Sequence, residues 1–360
     1  MSLDRPAAGP AKRDHVATQP SGPTLGLKSW RSVLAAYQHP DTLHSVRELI
    51  VTLVPLVLIW SAAWVAASSG HSWLALLLAV PAAGFLVRLF MVQHDCGHHA
   101  FFQTPAVNDW VGRIVGILTM TPYDCWRSEH AVHHATSGNL DRRGTGAVET
   151  MTVEEYRAAS PLKQLGYRLY RHPLVLFAFG PAFVFFVQQR LPVGLMKQGW
   201  RPWLSAMGTN LGLALGLTAL VWIGGWKPLV FVHLPSLAIA ASIGVWLFYV
   251  QHQFEQTYWA RRGQWELTEA ALQGSSHYDL PPVLRWMTGN IGVHHVHHVS
   301  SRIPFYRLQT VLRDHPELRD VSRLSLVESI RCVGLTLWDE ASQKLISFNQ
   351  FRRAERLIAN

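Results

Sequence analysis

Charge is what this 360-residue chain has least of: 15% of its residues are Asp, Glu, Lys or Arg, against 49% hydrophobic. An average soluble domain is about a quarter charged, so two ordinary soluble domains are a poor description. The missing charge is missing from long apolar runs, which is the composition of an integral membrane protein. Cysteine is nearly absent as well. Cys96, Cys125 and Cys332 are too few and too scattered for a disulfide framework or an iron–sulfur cluster, and they read as small packing residues. There is no Gly-x-Gly-x-x-Gly after a strand and no His-Pro-Gly-Gly haem segment. Residues 1–23 lack an apolar run; being polar and rich in Pro, Gly and Ala, they are expected to be disordered rather than a cleaved signal peptide. Acidic groups are outnumbered too, 23 against 32 Lys and Arg, for a net charge of +9. The basic residues lie scattered beside the apolar runs rather than in one stripe. That disfavours nucleic acid and suits anionic lipid and an acidic protein partner.

Four runs have the roughly 20-residue length needed to cross about 30 Å of hydrocarbon: Glu48–Ala67, Trp73–Val92, Trp203–Gly224 and Leu229–Val250. They form two hairpins, with short turns at Ser68–Ser72 and Gly225–Pro228. A fifth apolar stretch, His172–Val187, is shorter, carries Pro173 and Pro181 and ends in polar residues. It is assigned to the interface or to a re-entrant turn, because an extra crossing would carry His252 to the side away from the other histidine clusters. The run around Val111–Met120 gets the same assignment. The two hairpin turns hold only Lys227 between them, whereas the opposite side carries Arg47, Arg127, Arg142, Arg143, Arg157, Arg168, Arg171, Arg201, Arg261 and Arg262. By the positive-inside rule the clusters and both termini are cytoplasmic, at the inner membrane of the cell. The expected architecture is all-α and membrane-embedded: four transmembrane helices in two hairpins under a cytoplasmic helical cap. The expected division is a cytoplasmic N-terminal tail at 1–47, a membrane domain at 48–310 and a helical cytoplasmic tail at 311–360, in which Ser325 or Ser329 borders an amphipathic stretch.

Histidine is what the chain has instead. Three clusters stand where apolar segments end: His94 with His98, His130 with His133 and His134, and His294 with His297 and His298. On a helix the i, i+4 pairs stack one turn apart while i+3 diverges around the axis, so each triple can address two ions. Eight neutral imidazoles exceed the four or so ligands of one structural zinc, which points to two metals. Imidazole suits Fe, Zn, Cu and Ni, so the ligands alone do not name the metal. His99 and His295 fall off the shared faces and are left out. His252, directly after the fourth run, is a candidate ninth ligand. Asp95, Glu129 and Asn290 are candidates to orient imidazoles, and Tyr123, Trp126, Phe101, Phe102 and Trp246 to line a tunnel for an apolar molecule; interface packing is the plainer reading of these aromatics.

The pattern HxxxH, HxxHH, HxxHH around two hairpins resembles the membrane fatty acid desaturase family over roughly residues 48–310. The connecting segments HDCGH with Ala100-Phe101-Phe102, HHATSGNLDRRGTG at 133–146, LFYVQHQFE at 247–255 and TGNIGVHHVHHVSSRIPFY at 288–306 are similar to bacterial acyl-lipid desaturases of the Δ5 and Δ12 type. The resemblance implies two iron ions held by His94, His98, His130, His133, His134, His294, His297 and His298, with His252 at the position matching a further family histidine. It implies an enzyme that uses O2 and two electrons to introduce a cis double bond into a membrane lipid's acyl chain. The metal centre itself does the chemistry, with no separate side-chain acid or base. No redox domain is visible in the chain, so an external carrier, of the ferredoxin kind, is expected to supply the electrons. A hydroxylase or ketolase on the same scaffold is the alternative. A metal transporter fits less well, since it needs polar ligands near the bilayer midplane.

Overall fold

The structure is a computed structural model that describes residues 27–144 and 148–359; the tail at 1–23 lies outside the described residues. After α1 (Leu27–Leu34), the first hairpin is α2 (Thr42–Ser68) and α3 (Ser72–Gly97), joined through Gly70 at φ +84°, a left-handed conformation that glycine takes without strain. Asp41 caps α2 by accepting from the His44 backbone N–H at 2.6 Å. The second hairpin is α9 (Trp200–Gly224) and α10 (Trp226–His252). These four helices are long and apolar enough to cross a membrane, as expected, and each starts or ends a few residues beyond its apolar run. An apolar run marks only the part in hydrocarbon. The polar continuations of α3 and α10 carry His94 and His252 beyond it.

Small residues let the first hairpin close tightly: Ala63, Ala67, Ala75 and Ala79 are fully buried between its helices. The outer faces are left to lipid, with Leu43, Leu58, Leu204, Leu215 and Trp222 all more than 60% exposed to the surroundings of the protein. A charge lies well inside the span α3. Arg88 of α3 is buried and donates to the Glu48 carboxylate and to the Trp286 carbonyl, so it enters the membrane already paired.

Between the hairpins, α4 (Pro105–Leu118) and α5 (Tyr123–Thr136) pack on α3 and α9, followed by β1 (Met151–Thr152) and α6 (Val153–Ala158). Then α7 (Pro161–Tyr170) and α8 (Val175–Arg190) form an apolar pair bent by 59° at their junction. Counted by length alone the pair makes a fifth span. The side chains decide otherwise. His133, before the pair, and His252, at the end of α10, stand with Nε2 atoms 3.1 Å apart. Both are at one end of the bundle, so an even number of crossings separates them, and α9 with α10 supplies both. The pair therefore makes no crossing of its own. The run around Val111–Met120 is likewise no span, being mostly α4, of 14 residues.

The cap continues with α11 (Leu267–Leu272), β2 (His277–Asp279), α12 (Pro282–Met287), α13 (His294–Val299), α14 (Leu308–Asp314), β3 (Arg323–Ser325), α15 (Leu326–Cys332), β4 (Leu335–Asp339), β5 (Lys344–Ser347) and α16 (Phe348–Ala359). The C-terminal tail is therefore not helical throughout. Ser325 does start α15, in a capping box with Glu328. The stretch after it turns into β4, which pairs in parallel with β1 and antiparallel with β5. That pairing reaches back to Met151, and no local period announces it.

Candidate metal centre

Four helices end at one place. His94 and His98 stand at the end of α3, His130, His133 and His134 on α5, His252 on the last turn of α10, and His294, His297 and His298 on α13. They sort into two groups with ligand atoms within 4.8 Å of one another: His94, His98, His130, His134 and His297 in one, His133, His252, His294 and His298 in the other. Helix geometry explains the division. In both triples the i, i+4 pair stays together and the i+3 ring turns to the other group. Because His130 and His134 serve one group while His294 and His298 serve the other, each of these helices ties the two groups together.

The nitrogens are placed as ligands are. His134 Nε2 lies 3.1 Å from both His130 Nε2 and His297 Nε2. His294 Nε2 lies 3.0 Å from His252 Nε2 and 3.1 Å from His298 Nε2. Metal–nitrogen bonds of about 2.0–2.1 Å meeting near a right angle span about 3 Å, so these separations match the edges of a coordination polyhedron. Tautomers make the same point. His252 Nδ1 faces the Gly274 carbonyl at 2.9 Å, which can only accept, so the proton is on Nδ1 and Nε2 offers a lone pair. That one lone pair faces two other imidazole nitrogens. His94 Nδ1 is fixed in the same way by the Asp95 carboxylate at 3.1 Å. His98 Nε2 is buried without a hydrogen-bond partner among the described residues. The donor set fits two metal ions.

Burial holds the rings of His98, His130, His133, His134, His294, His297 and His298 well below the usual histidine pKa, and repulsion between neighbouring rings adds to it. At neutral pH they are uncharged and free to ligate.

The two histidines left out stay out. His99 Nε2 bonds to the Asp109 carboxylate at 2.9 Å, and His295 Nε2 to the Leu318 carbonyl at 2.9 Å. Of the three polar candidates for orienting imidazoles, Asp95 does so. Asn290 instead donates to the Phe305 carbonyl at 3.1 Å. Glu129 lines the cavity described below, where burial raises its carboxyl pKa. One residue escaped the sequence: Asp109 gathers His99, the Tyr123 hydroxyl at 3.0 Å and Arg127 Nη1 at 3.1 Å, while Tyr123 reaches the Cys96 carbonyl at 2.8 Å. Burial raises this carboxyl, but the bonds from His99 and Tyr123 and the Arg127 charge outweigh it and hold its pKa below the ordinary value. The ten-residue separation of Asp109 from His99 leaves no spacing signal.

Both groups look onto one apolar cavity of about 820 Å³. His94 and His130 of the five-ring group and His294 of the four-ring group contribute to its wall. Its depth is formed by α3 (Leu86, Phe90), the bent pair (Leu176, Val184) and α10 (Leu237, Gly244). Gly244 has nothing within 4 Å of where a Cβ would stand.

The fatty acid desaturase family model matches residues 71–328, most of the chain and all three clusters. The chain belongs to that family. A fatty acid desaturase of Bacillus subtilis is 41% identical over 319 residues, covering 89% of this chain and 90% of the relative. An sn-1 oleoyl-lipid 12-desaturase of Arthrospira platensis is 25% identical, covering 86% of this chain and 83% of its own length. An sn-1 acyl-lipid omega-3 desaturase (ferredoxin) of Synechocystis is 29% identical over 61% of each chain. This desaturase is thus a membrane-embedded oxidoreductase acting on fatty acids, with histidine clusters able to hold metal. Of the aromatic residues singled out as tunnel candidates, only Trp126 lines the desaturase's cavity, stacked on His130 with centroids 4.5 Å apart. Phe101, Phe102 and Tyr123 are buried in the core, and Trp246 packs against it, its indole N–H reaching the Tyr278 hydroxyl at 3.3 Å.

Proposed function

We propose that this desaturase places a cis double bond in the acyl chain of a membrane lipid, using two iron ions, O2 and two external electrons. The observation that carries the reading is the shared wall: histidines of both groups border one apolar cavity that runs down between the membrane helices. In balance, –CH2–CH2– with O2, two electrons and two protons gives –CH=CH– and two waters. A saturated chain offers nothing for a side-chain acid, base or nucleophile, and two iron ions bound by the nine imidazoles would supply the oxidising chemistry.

The chain's own residues do the rest. His94, His98, His130, His134 and His297 would hold one ion, and His133, His252, His294 and His298 the other. Asp95 and the Gly274 carbonyl fix tautomers and ring orientations. Leu86, Phe90, Val184 and Leu237 exclude water and line the path of the acyl chain, and Trp126 confines it beside His130. The net charge of +9 supports an acidic donor, such as a ferredoxin, docking on a cytoplasmic cap. The sparse charge of the hairpin turns supports that orientation and an inner-membrane location. On this reading residues 48–310 form the catalytic membrane domain, flanked by cytoplasmic tails at 1–47 and 311–360.

The test is expression in a bacterium lacking desaturases, with fatty acid analysis that locates new double bonds. Wild type is expected to give an unsaturated product without retained oxygen, and His297→Ala none. A hydroxylated or oxo product would replace desaturation with oxygen insertion, and normal product from His297→Ala would overturn the ligand assignment.

A further inference from the structure

The cap holds a second cleft, of about 450 Å³, that shares no lining residue with the acyl cavity. Four guanidinium groups line it, those of Arg285, Arg313, Arg319 and Arg323, with His277 and Gln309, against the carboxylates of Asp279 and Asp320. Arg323 takes Asp279 at 2.6 Å and lies 3.9 Å from Asp320, whose side chain is 84% exposed. Arg285 donates to the neutral Gln309 Oε1 at 3.1 Å, and Arg319 donates through Nε to the Leu312 carbonyl at 2.8 Å. Among the described residues neither forms an ion pair. Arg313 pairs with its neighbour Asp314 alone. Positive charge is in excess, and guanidinium forks match phosphate oxygens.

The fold sets this cleft beside two short helices that pack against membrane helices. β2 and β3 run parallel, so the helices that follow them, α12 and α15, leave the pair at the same end. Both show bare apolar faces: Val283 is 71% and Leu284 43% exposed on α12, Val327 68% and Ile330 63% on α15. α12 leans on the span α3, with the Trp286 ring 6.0 Å from that of Phe85 and the Trp286 carbonyl accepting from Arg88. α15 sits beside the last turns of α10, where the Tyr249 hydroxyl reaches the Cys332 carbonyl at 2.8 Å. Apolar faces held against membrane helices are suited to sink into the acyl boundary, which would bring the arginines beside them to the phosphates.

We propose that this cleft binds the phosphate of an anionic phospholipid, separate from the lipid whose chain is oxidised. The His277 ring on its floor stands 5.6 Å from the ring of His295 on α13. An occupied cleft therefore braces the helix that carries the third histidine cluster.

The experiment is native mass spectrometry and thermal unfolding of the metal-loaded enzyme in neutral detergent, with dioleoyl phosphatidylglycerol, diacylglycerol or inorganic phosphate added. Phosphatidylglycerol is expected to bind more tightly and raise the unfolding midpoint further than diacylglycerol, whose chains can enter only the acyl cavity. Arg313→Gln, at a side chain 71% exposed and so harmless to folding, is expected to weaken binding about fivefold. Arg285→Gln with Arg319→Gln should weaken it about twentyfold. Arg353→Gln with Arg356→Gln, the same charge loss on α16, should leave it unchanged. Equal binding by the Arg313 variant and the wild type overturns the proposal, as does equal loss in the α16 control. Inorganic phosphate displacing the lipid at equal concentration would assign the cleft to a soluble anion and overturn the lipid reading.

Discussion

Asp95 accepts from two directions, the His94 ring at 3.1 Å and the Phe305 backbone N–H at 2.6 Å. It therefore sets both the tautomer of a proposed ligand and the chain path that leaves the third cluster. Asn keeps the shape and one acceptor but removes the charge. Asp95→Asn is expected to lower metal affinity about 10–100-fold while the protein still folds, read as iron content after dialysis against a graded chelator. Unchanged retention would reduce Asp95 to a packing role. His252 makes the sharper test, because it joins the four-ring group from a different helix than the rest. His252→Ala should lose about one iron per chain and all product, whereas retention of both ions would remove it from the ligand set. At this scale the sequence was readable wherever function needed a repeated residue at helical spacing. Asp109 was not, since a carboxylate that touches His99, Tyr123 and Arg127 does so only after α4 folds back against α5.

Between elements, the approach of α4 to α5 depends on Gly112. A Cβ there would stand 2.2 Å from the Tyr123 ring, which cannot yield without moving its hydroxyl from Cys96 and Asp109. Gly112→Ala is expected to cost about 1–3 kcal/mol, seen as a lower thermal unfolding midpoint. An unaltered midpoint would mean that α4 shifts freely. Gly244 of α10 is the opposite case, because its missing side chain leaves cavity volume. Gly244→Phe should fill the tunnel partway down and depress conversion of longer acyl chains more than shorter ones at similar protein levels. Equal loss at every chain length would place the acyl chain elsewhere. The hairpins were legible because lipid exposure demands continuous apolar runs. That α7 and α8 add no crossing was only inferable, through the need for His252 to rejoin the other clusters.

For the molecule as a whole, burying so many imidazoles has a pH consequence. Seven of the grouped rings, held well below the ordinary histidine pKa, stay neutral in the folded protein while unfolded histidines take protons below about 6.5. Their contribution to the stability of the metal-free protein is thus complete above that pH and is lost as the pH falls below it. Chelator-treated protein should show a falling unfolding midpoint between pH 7 and pH 5; a flat profile would contradict a buried neutral cluster. The sequence by itself determined the membrane class, the hairpins and eight of the nine grouped rings. Hydrocarbon imposes length and apolarity residue by residue, and helical ligation imposes a short period. Only the tertiary structure decided which rings share a group, that β4 crosses the chain to meet β1, and that four arginines from α12, α14, β3 and the loop before it face one cleft. Each of these joins residues far apart in the chain, and such contacts depend on packing that no local period encodes.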